Sequence, residues 1–105
     1  MRELYHPPRD ELDLPTVLHA LSDPTRLDIV RQLSVTSELC MGNCDTKVAK
    51  STMSHHFKTL REAGVTRTRI EGVQRYVSLR RDDLDARFPG LLDVLLRVAK
   101  PQLRQ

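Results

Sequence analysis

Apolar residues recur along this chain at helical spacing in four stretches and at strand spacing in one. Leu14, Val17, Leu18 and Leu21 fall at i, i+3, i+4 and i+7, which predicts a first helix from about Leu14 to Leu21. Asp23 followed by Pro24 is a helix start, an acidic cap before proline at the first helical position. The second helix then runs to about Leu33, with Leu27, Val30 and Leu33 facing inward. Ser34 to Ser37 is a polar break. In Lys50 to Val65, KSTMSHHFKTLREAGV, Met53, Phe57 and Leu60 line one apolar stripe, while Ser51, Thr52, Ser54, His55 and Lys58 project elsewhere. Ser51 can cap this helix, and Gly64 follows its last turn, where a left-handed conformation suits glycine. Between Val65 and Leu79 the period shortens. Val73, Val77 and Leu79 fall two or four apart, and Thr66, Thr68, Ile70 and Tyr76 are good strand formers. Glu71 and Gly72 sit between two runs, so a hairpin is predicted. Arg81 to Lys100 is helical again, with Asp82, Asp83 and Asp85 favouring its start and Phe88-Pro89 predicting a kink or restart.

Two segments pattern less clearly. Met1 to Asp13 is polar, contains Pro7-Pro8, and is expected to be a flexible or extended arm. Glu38 to Ala49 contains Gly42 and Asn43, poor residues for a helix interior, so a short and irregular helix is expected there.

The chain has 105 residues, which argues for one domain. The expected division is an arm over 1–13, one folded domain over 14–100, and a tail over 101–105. Aromatics make up only 4 %, so the core must be aliphatic. No apolar run approaches a membrane span, and MRELYHPPRDELD has no apolar secretory core, so a cytoplasmic location without membrane association is expected. The net charge of +3 hides an asymmetry. Residues 47–81 carry nine Lys/Arg against two acidic residues, a net +7, while the rest of the chain nets −4. Positive charge therefore coincides with the polar-faced helix and the hairpin that follows it, as phosphate contact requires. The competing reading is a merely solvated charged face.

A helix followed directly by a basic hairpin is the layout of a winged helix-turn-helix. Three pieces, ALSDPTRLDIVRQL (Ala20 to Leu33), KSTMSHHFKTLREAGV, and the wing with its EG turn and RYVSL ending (Glu71 to Leu79), resemble the ArsR/SmtB family of small bacterial winged-helix repressors. Together with a C-terminal helix they cover most of the chain. The resemblance implies a mainly α (α+β) fold of about five helices and a two-stranded β-hairpin wing, dimeric through the N- and C-terminal helices. Leu14, Val17, Leu18, Leu91, Leu92, Leu95 and Leu96 are the expected dimer contacts. The apolar character of Leu91 to Val98 on nearly every side agrees, because so small a domain can cover only part of such a helix. Residues 38–49 depart from the smooth leucine-and-alanine pattern usual in the family.

The expected DNA contacts are Lys50, Ser51, Thr52, Ser54, His55, Lys58, Arg61, Arg67, Arg69, Gln74 and Arg75. His55 and His56 are adjacent and face about 100° apart on a helix. His56 lies toward the apolar stripe and is expected to pack, while His55 points outward. Lys58 and Arg61 suit phosphates, which set position rather than sequence. A wing arginine suits the minor groove, although hairpin register is open by one residue.

Cys40 and Cys44 would share a face if 38–49 were helical. The resembled family's thiolate sensors place cysteines near here, so a soft metal or metalloid ion is conceivable as a ligand. Two thiols fall short of the four ligands of a structural zinc site. His6 or His19 is a candidate third ligand. A reversible disulfide and plain packing are the other readings of the pair. No cofactor is otherwise implied. There is no phosphate-binding glycine loop or nucleophile elbow, so an enzyme is not expected.

These observations predict a sequence-specific DNA-binding regulator, a homodimeric repressor that reads an inverted repeat in double-stranded DNA with helix 51–63 and wing 66–79. One rival is a thiol-based metal, metalloid or redox sensor on the same fold. Another is a winged-helix protein-interaction module without specific DNA binding. The effector, a small molecule or ion, is not legible.

Overall fold

The computed structural model describes residues 4–41 and 50–98. Among them a 3-10 turn (Arg9–Glu11) precedes α1 (Leu14–Ala20), α2 (Pro24–Val35), β1 (Leu39–Cys40), α3 (Lys50–Glu62), β2 (Thr66–Glu71), β3 (Gln74–Leu79), α4 (Arg81–Arg87) and α5 (Leu91–Val98). The three strands form one antiparallel sheet in the order β1-β3-β2. Five helices against such a sheet make a winged helix.

Both early helices start where a carboxylate meets unpaired amides. Asp13 accepts from Thr16 N–H at 3.0 Å, and Asp23 accepts from Thr25 N–H at 2.8 Å and Arg26 N–H at 3.1 Å. In α2, Val30 and Leu33 are buried as expected, but Leu27 is only half-buried. The inward stripe is instead Arg26, Ile29, Val30 and Leu33. It has the i, i+3, i+4, i+7 spacing, but it begins with an arginine that a search for apolar residues passes over.

The helix expected from Glu38 is overturned at its start. Leu39 and Cys40 are extended and pair with Val77 and Tyr76 of β3. Met41 N–H continues the pairing to the Arg75 carbonyl at 2.9 Å. Partner strand β3 supplies hydrogen bonds that local propensity cannot foresee. The two-stranded wing therefore gains a third, short strand. Gly42, Asn43 and the remainder of the expected helix lie outside the described residues.

Lys50 is already helical, so Ser51 lies inside α3 rather than ahead of it as a cap. The helix ends as predicted at Gly64, with φ +87°. Val65 N–H closes onto the Leu60 carbonyl at 3.0 Å, the six-to-one bond of a Schellman ending. A Cβ at Gly64 would collide with the Leu12 side chain, so glycine is required there twice over.

The hairpin turn is one residue later than expected. Glu71 pairs with Gln74, leaving Gly72 and Val73 as the two-residue loop. Gly72 has φ +62° and Val73 is not in the left-handed region, the pattern of a type II′ turn, which needs glycine first. Val73 is thus 95 % exposed at the wing tip and is not a strand residue.

The N-terminal segment, expected to be flexible or extended, is docked over Leu4–Asp13, with no helix or strand over Leu4–Pro8 and the 3-10 turn at Arg9–Glu11. Pro7 and Leu12 are buried. Arg80 donates to the Pro7 carbonyl at 2.7 Å and Arg87 to the Leu12 carbonyl at 2.6 Å. The C-terminal helical run does restart: Gly90, with φ +86°, separates α4 from α5. Val17 and Leu92 are buried in the core, so they are not available for the dimer contact expected of them. Leu91, Leu95 and Leu96 are partly buried against the core. Leu14 and Leu18 on α1, and Val94 and Val98 on α5, are 41 %, 43 %, 51 % and 62 % exposed.

Candidate nucleic-acid interface

α3 presents two chemically distinct faces. Met53, Phe57 and Leu60 are buried, and His56 lies among them. Thr52, Ser54, His55 and Lys58 are exposed on the other side. One helix thus seats on the core and offers hydroxyl, imidazole and ammonium groups outward, the donor set suited to base edges and phosphates. Lys50 and Ser51 belong to the helix, but their side chains lie outside the described residues.

His56 is packed, as its position in the stripe predicted, and it has a partner that sequence reading missed. Arg26 on α2 donates to His56 Nδ1 at 3.1 Å. The same guanidinium donates to the carbonyls of Ala20 at 2.6 Å and His19 at 3.4 Å, at the end of α1. Arg26 is therefore a buried tie between three helices. Because Nδ1 accepts, the proton of neutral His56 sits on Nε2, which lies 4.0 Å from the Asp23 carboxylate. Burial lowers the His56 pKa below its ordinary value; Asp23 opposes this and the neighbouring Arg26 guanidinium adds to it. The DPTR and SHH pieces that carry the family resemblance are thus joined in space.

Beside α3 the wing completes a groove. Its lining brings together Ser54, Lys58 and Arg61 of α3 with Thr68 and Arg75 of the wing, over a floor that includes Phe57. Arg75 pairs with Ile70 across the hairpin, and strand alternation puts it on the same face as buried Val77 and Thr68, toward α3. Four of the expected contacts, Ser54, Lys58, Arg61 and Arg75, therefore converge. Thr52 and His55 lie on the exposed face of the same helix.

Arg67, Arg69 and Gln74 do not join them. The pleat turns all three to the opposite face of the sheet, where carboxylates already engage the arginines. Arg69 bonds Glu38 at 3.0 Å and Glu71 at 2.9 Å, and its guanidinium stacks 4.6 Å over Tyr76. Those two carboxylates hold the Arg69 pKa above its usual value. Arg67 lies 3.5 Å from Asp83. Gln74 accepts from the Cys40 thiol at 3.2 Å. The register of the hairpin, which sequence left open by one residue, decides this division.

Among the described residues the expected ligands are not gathered into one site. Cys40 is on a strand, not on a helix face shared with Cys44, and Cys44 lies outside the described residues. His6, a candidate third ligand, already accepts from Thr68 N–H at 3.0 Å. Among the described residues no three His, Cys, Asp or Glu side chains gather as a metal site. No described helix is long and apolar enough to cross a membrane.

Comparisons agree with this architecture. A sequence model of the family described as "Bacterial regulatory protein, arsR family" matches residues 23–67. An uncharacterized HTH-type transcriptional regulator of Bacillus subtilis, YceK, is 48 % identical over 82 residues, 75 % of this chain and 82 % of that protein. An arsenical resistance operon repressor of Staphylococcus xylosus is 38 % identical over 77 residues, 70 % of this chain and 71 % of that protein. The structure of HlyU from Vibrio cholerae superposes with a TM-score of 0.66 at 24 % identity, covering 81 % of this chain and 89 % of that one, a likeness of fold. A buried DPTR–SHH junction, a polar-faced helix beside a wing, and kinship over most of the domain make this chain a member of the arsR family of bacterial regulatory proteins, a DNA-binding transcriptional regulator.

Proposed function

We propose that the protein is a homodimeric repressor that reads an inverted repeat. The observation that carries this reading is the convergence of Ser54, Lys58, Arg61 and Arg75 on one groove beside the exposed face of α3. Two such helices, related by a twofold axis, enter successive major grooves about 34 Å apart. The exposed Leu14, Leu18, Val94 and Val98 on the first and last helices supply the apolar surface for the partner, with Leu91, Leu95 and Leu96 behind them. The repressor role is supported by the relative from Staphylococcus xylosus, which bears that name. Thr52, Ser54 and His55 read bases, while Lys58, Arg61 and Arg75 hold phosphates. Arg67 and Arg69 are stabilising side chains of the wing rather than DNA contacts.

The test is fluorescence anisotropy on the intergenic DNA upstream of the gene, at two salt concentrations. The reading expects tight binding with a slope of several phosphates in log K against log salt. A slope near zero would instead favour a protein-interaction module.

The thiol-sensor reading has one observation in its favour, the arsenical resistance named for that relative. It predicts that Cys40→Ser with Cys44→Ser abolishes release of DNA by soft metals or oxidants. Unchanged release in the double variant would remove the cysteines from the switch.

A further inference from the structure

The docked segment Leu4–Pro7 meets the DNA-facing groove. In the order β1-β3-β2, strand β2 is an edge, with one row of backbone groups open. His6 closes that row at one point, its Nε2 accepting from Thr68 N–H at 3.0 Å. One residue earlier, the Tyr5 carbonyl accepts from Arg61 Nε at 3.2 Å. One residue later, the Pro7 carbonyl accepts from Arg80 Nη1 at 2.7 Å. Leu4 lines the groove with Ser54, Lys58 and Arg75. Three successive residues therefore tie α3, β2 and the start of α4 together, and one of the groove's cations, Arg61, is aimed by the tie.

We propose that His6 is a positioning residue for DNA binding: as a neutral imidazole it clasps the N-terminal segment to β2 and so sets Arg61 and the groove, and protonation opens the clasp. This rests on the DNA-binding reading of that groove. A backbone N–H only donates, so Nε2 must be free of a proton to accept from it. A proton there removes the acceptor and opposes two donors. It also places a cation among Arg61 of α3, Arg67 of β2 and Arg80 at the start of α4, with only the Leu4 backbone favouring the charged form. The carboxylates near those arginines are already engaged. Asp83 is shared by Arg9, Arg67 and Arg80, and Glu62 lies 4.0 Å from Arg61. Burial, first, and the neighbouring arginines hold the His6 pKa below its ordinary 6.5. The clasp is therefore closed above that value and opens as pH falls through the lowered one.

Anisotropy titrations of the same upstream DNA, from about pH 7.5 to about pH 5.5, across the range in which histidine titrates, test this in the wild type, His6→Gln and His6→Ala. Glutamine Oε1 accepts the same bond and does not titrate. Near pH 7.5, His6→Gln should bind within about twofold of the wild type and His6→Ala about fivefold more weakly, the effect of one net hydrogen bond of about 1 kcal/mol. As pH falls through the lowered His6 value, the wild type should move toward the His6→Ala affinity while His6→Gln holds, so the affinity of His6→Gln relative to wild type rises, by up to about fivefold. His19, His55 and His56 are common to all three proteins and cancel in that ratio. A flat ratio with tight binding overturns the proposal. Hydrogen-exchange protection of the Thr68 amide provides a readout that does not involve DNA: it should fall with acid in the wild type and persist in His6→Gln. If the wild type binds no DNA at any pH, the positioning role falls with the reading it rests on. The Thr68 profile then decides alone whether the clasp exists.

Discussion

Arg26→Ala isolates the tie between α1, α2 and α3. Arg26 is 8 % exposed and donates to three acceptors on two other segments. Their dependence on it differs. The His19 carbonyl keeps bonds from Ser22 N–H at 3.2 Å and Ser22 Oγ at 2.7 Å. The Ala20 carbonyl and His56 Nδ1 have no other described partner, so truncation leaves both buried and unpaired. Each orphaned group costs about 1–3 kcal/mol, so the variant should lose about 3 kcal/mol before any cavity is counted. That is a large share of the 5–15 kcal/mol typical of a domain. At about 4–8 °C per kcal/mol for a domain of this size, the midpoint should drop by roughly 12–24 °C. Urea unfolding for the free energy and thermal unfolding for the midpoint, both followed by far-UV circular dichroism at one fixed protein concentration so that any dimerisation is held constant, measure the two. Arg26→Lys should recover only part of the loss, because an ammonium cannot reproduce the three-way fork. A loss below about 1 kcal/mol in Arg26→Ala would refute the assignment of Arg26 as the tie.

Other substitutions separate packing from DNA contact. Gly64→Ala must hold φ +87° and push against Leu12, so it should cost about 2 kcal/mol or more in the same unfolding experiment. Thr66→Val should do the reverse: the Thr66 hydroxyl is buried without a partner, and its replacement by a methyl should stabilise by about 1 kcal/mol. Lys58→Ala should reduce the slope of log K against log salt by about one, whereas Arg69→Ala, already paired with Glu38 and Glu71, should leave it nearly unchanged. Stability itself should fall with acid. His6 and His56 both titrate below 6.5 in the fold, so the unfolded chain takes up protons first. Their contribution is full above pH 6.5 and is lost as pH drops through the lowered values. Equal unfolding midpoints on the two sides of that range would contradict it.

What the sequence disclosed and what it withheld divide along one physical line. Local rules were legible. Asp23-Pro24 starts α2, Gly64 ends α3, and the Met53–Phe57–Leu60 stripe marks the buried face, because each depends on neighbours within one or two turns. What failed depends on partners far along the chain. Leu39 and Cys40 became a strand because β3 offers them a ladder, and no local preference announces that. Arg26 reads as one more surface cation until His56, thirty residues away, is brought against it. The wing shows the same limit at single-residue scale. Arg67, Arg69 and Arg75 were all evident as wing cations, but the observed pairing puts Arg75 on the α3 face with Ile70 and Thr68 and leaves Arg67 and Arg69 on the opposite face, where Arg69 meets Glu38 and Glu71. Since strand side chains alternate, one residue of register is enough to exchange a DNA contact for a structural ion pair. The N-terminal segment is the extreme case: its composition is that of an arm, and the open edge of β2, the donors of Arg61, Arg80 and Arg87 and a buried place for Leu12 give it a seat. Positive charge in the sequence thus located the functional half of the molecule, but the choice among its arginines belongs to the carboxylates that the fold places beside some of them and not beside others.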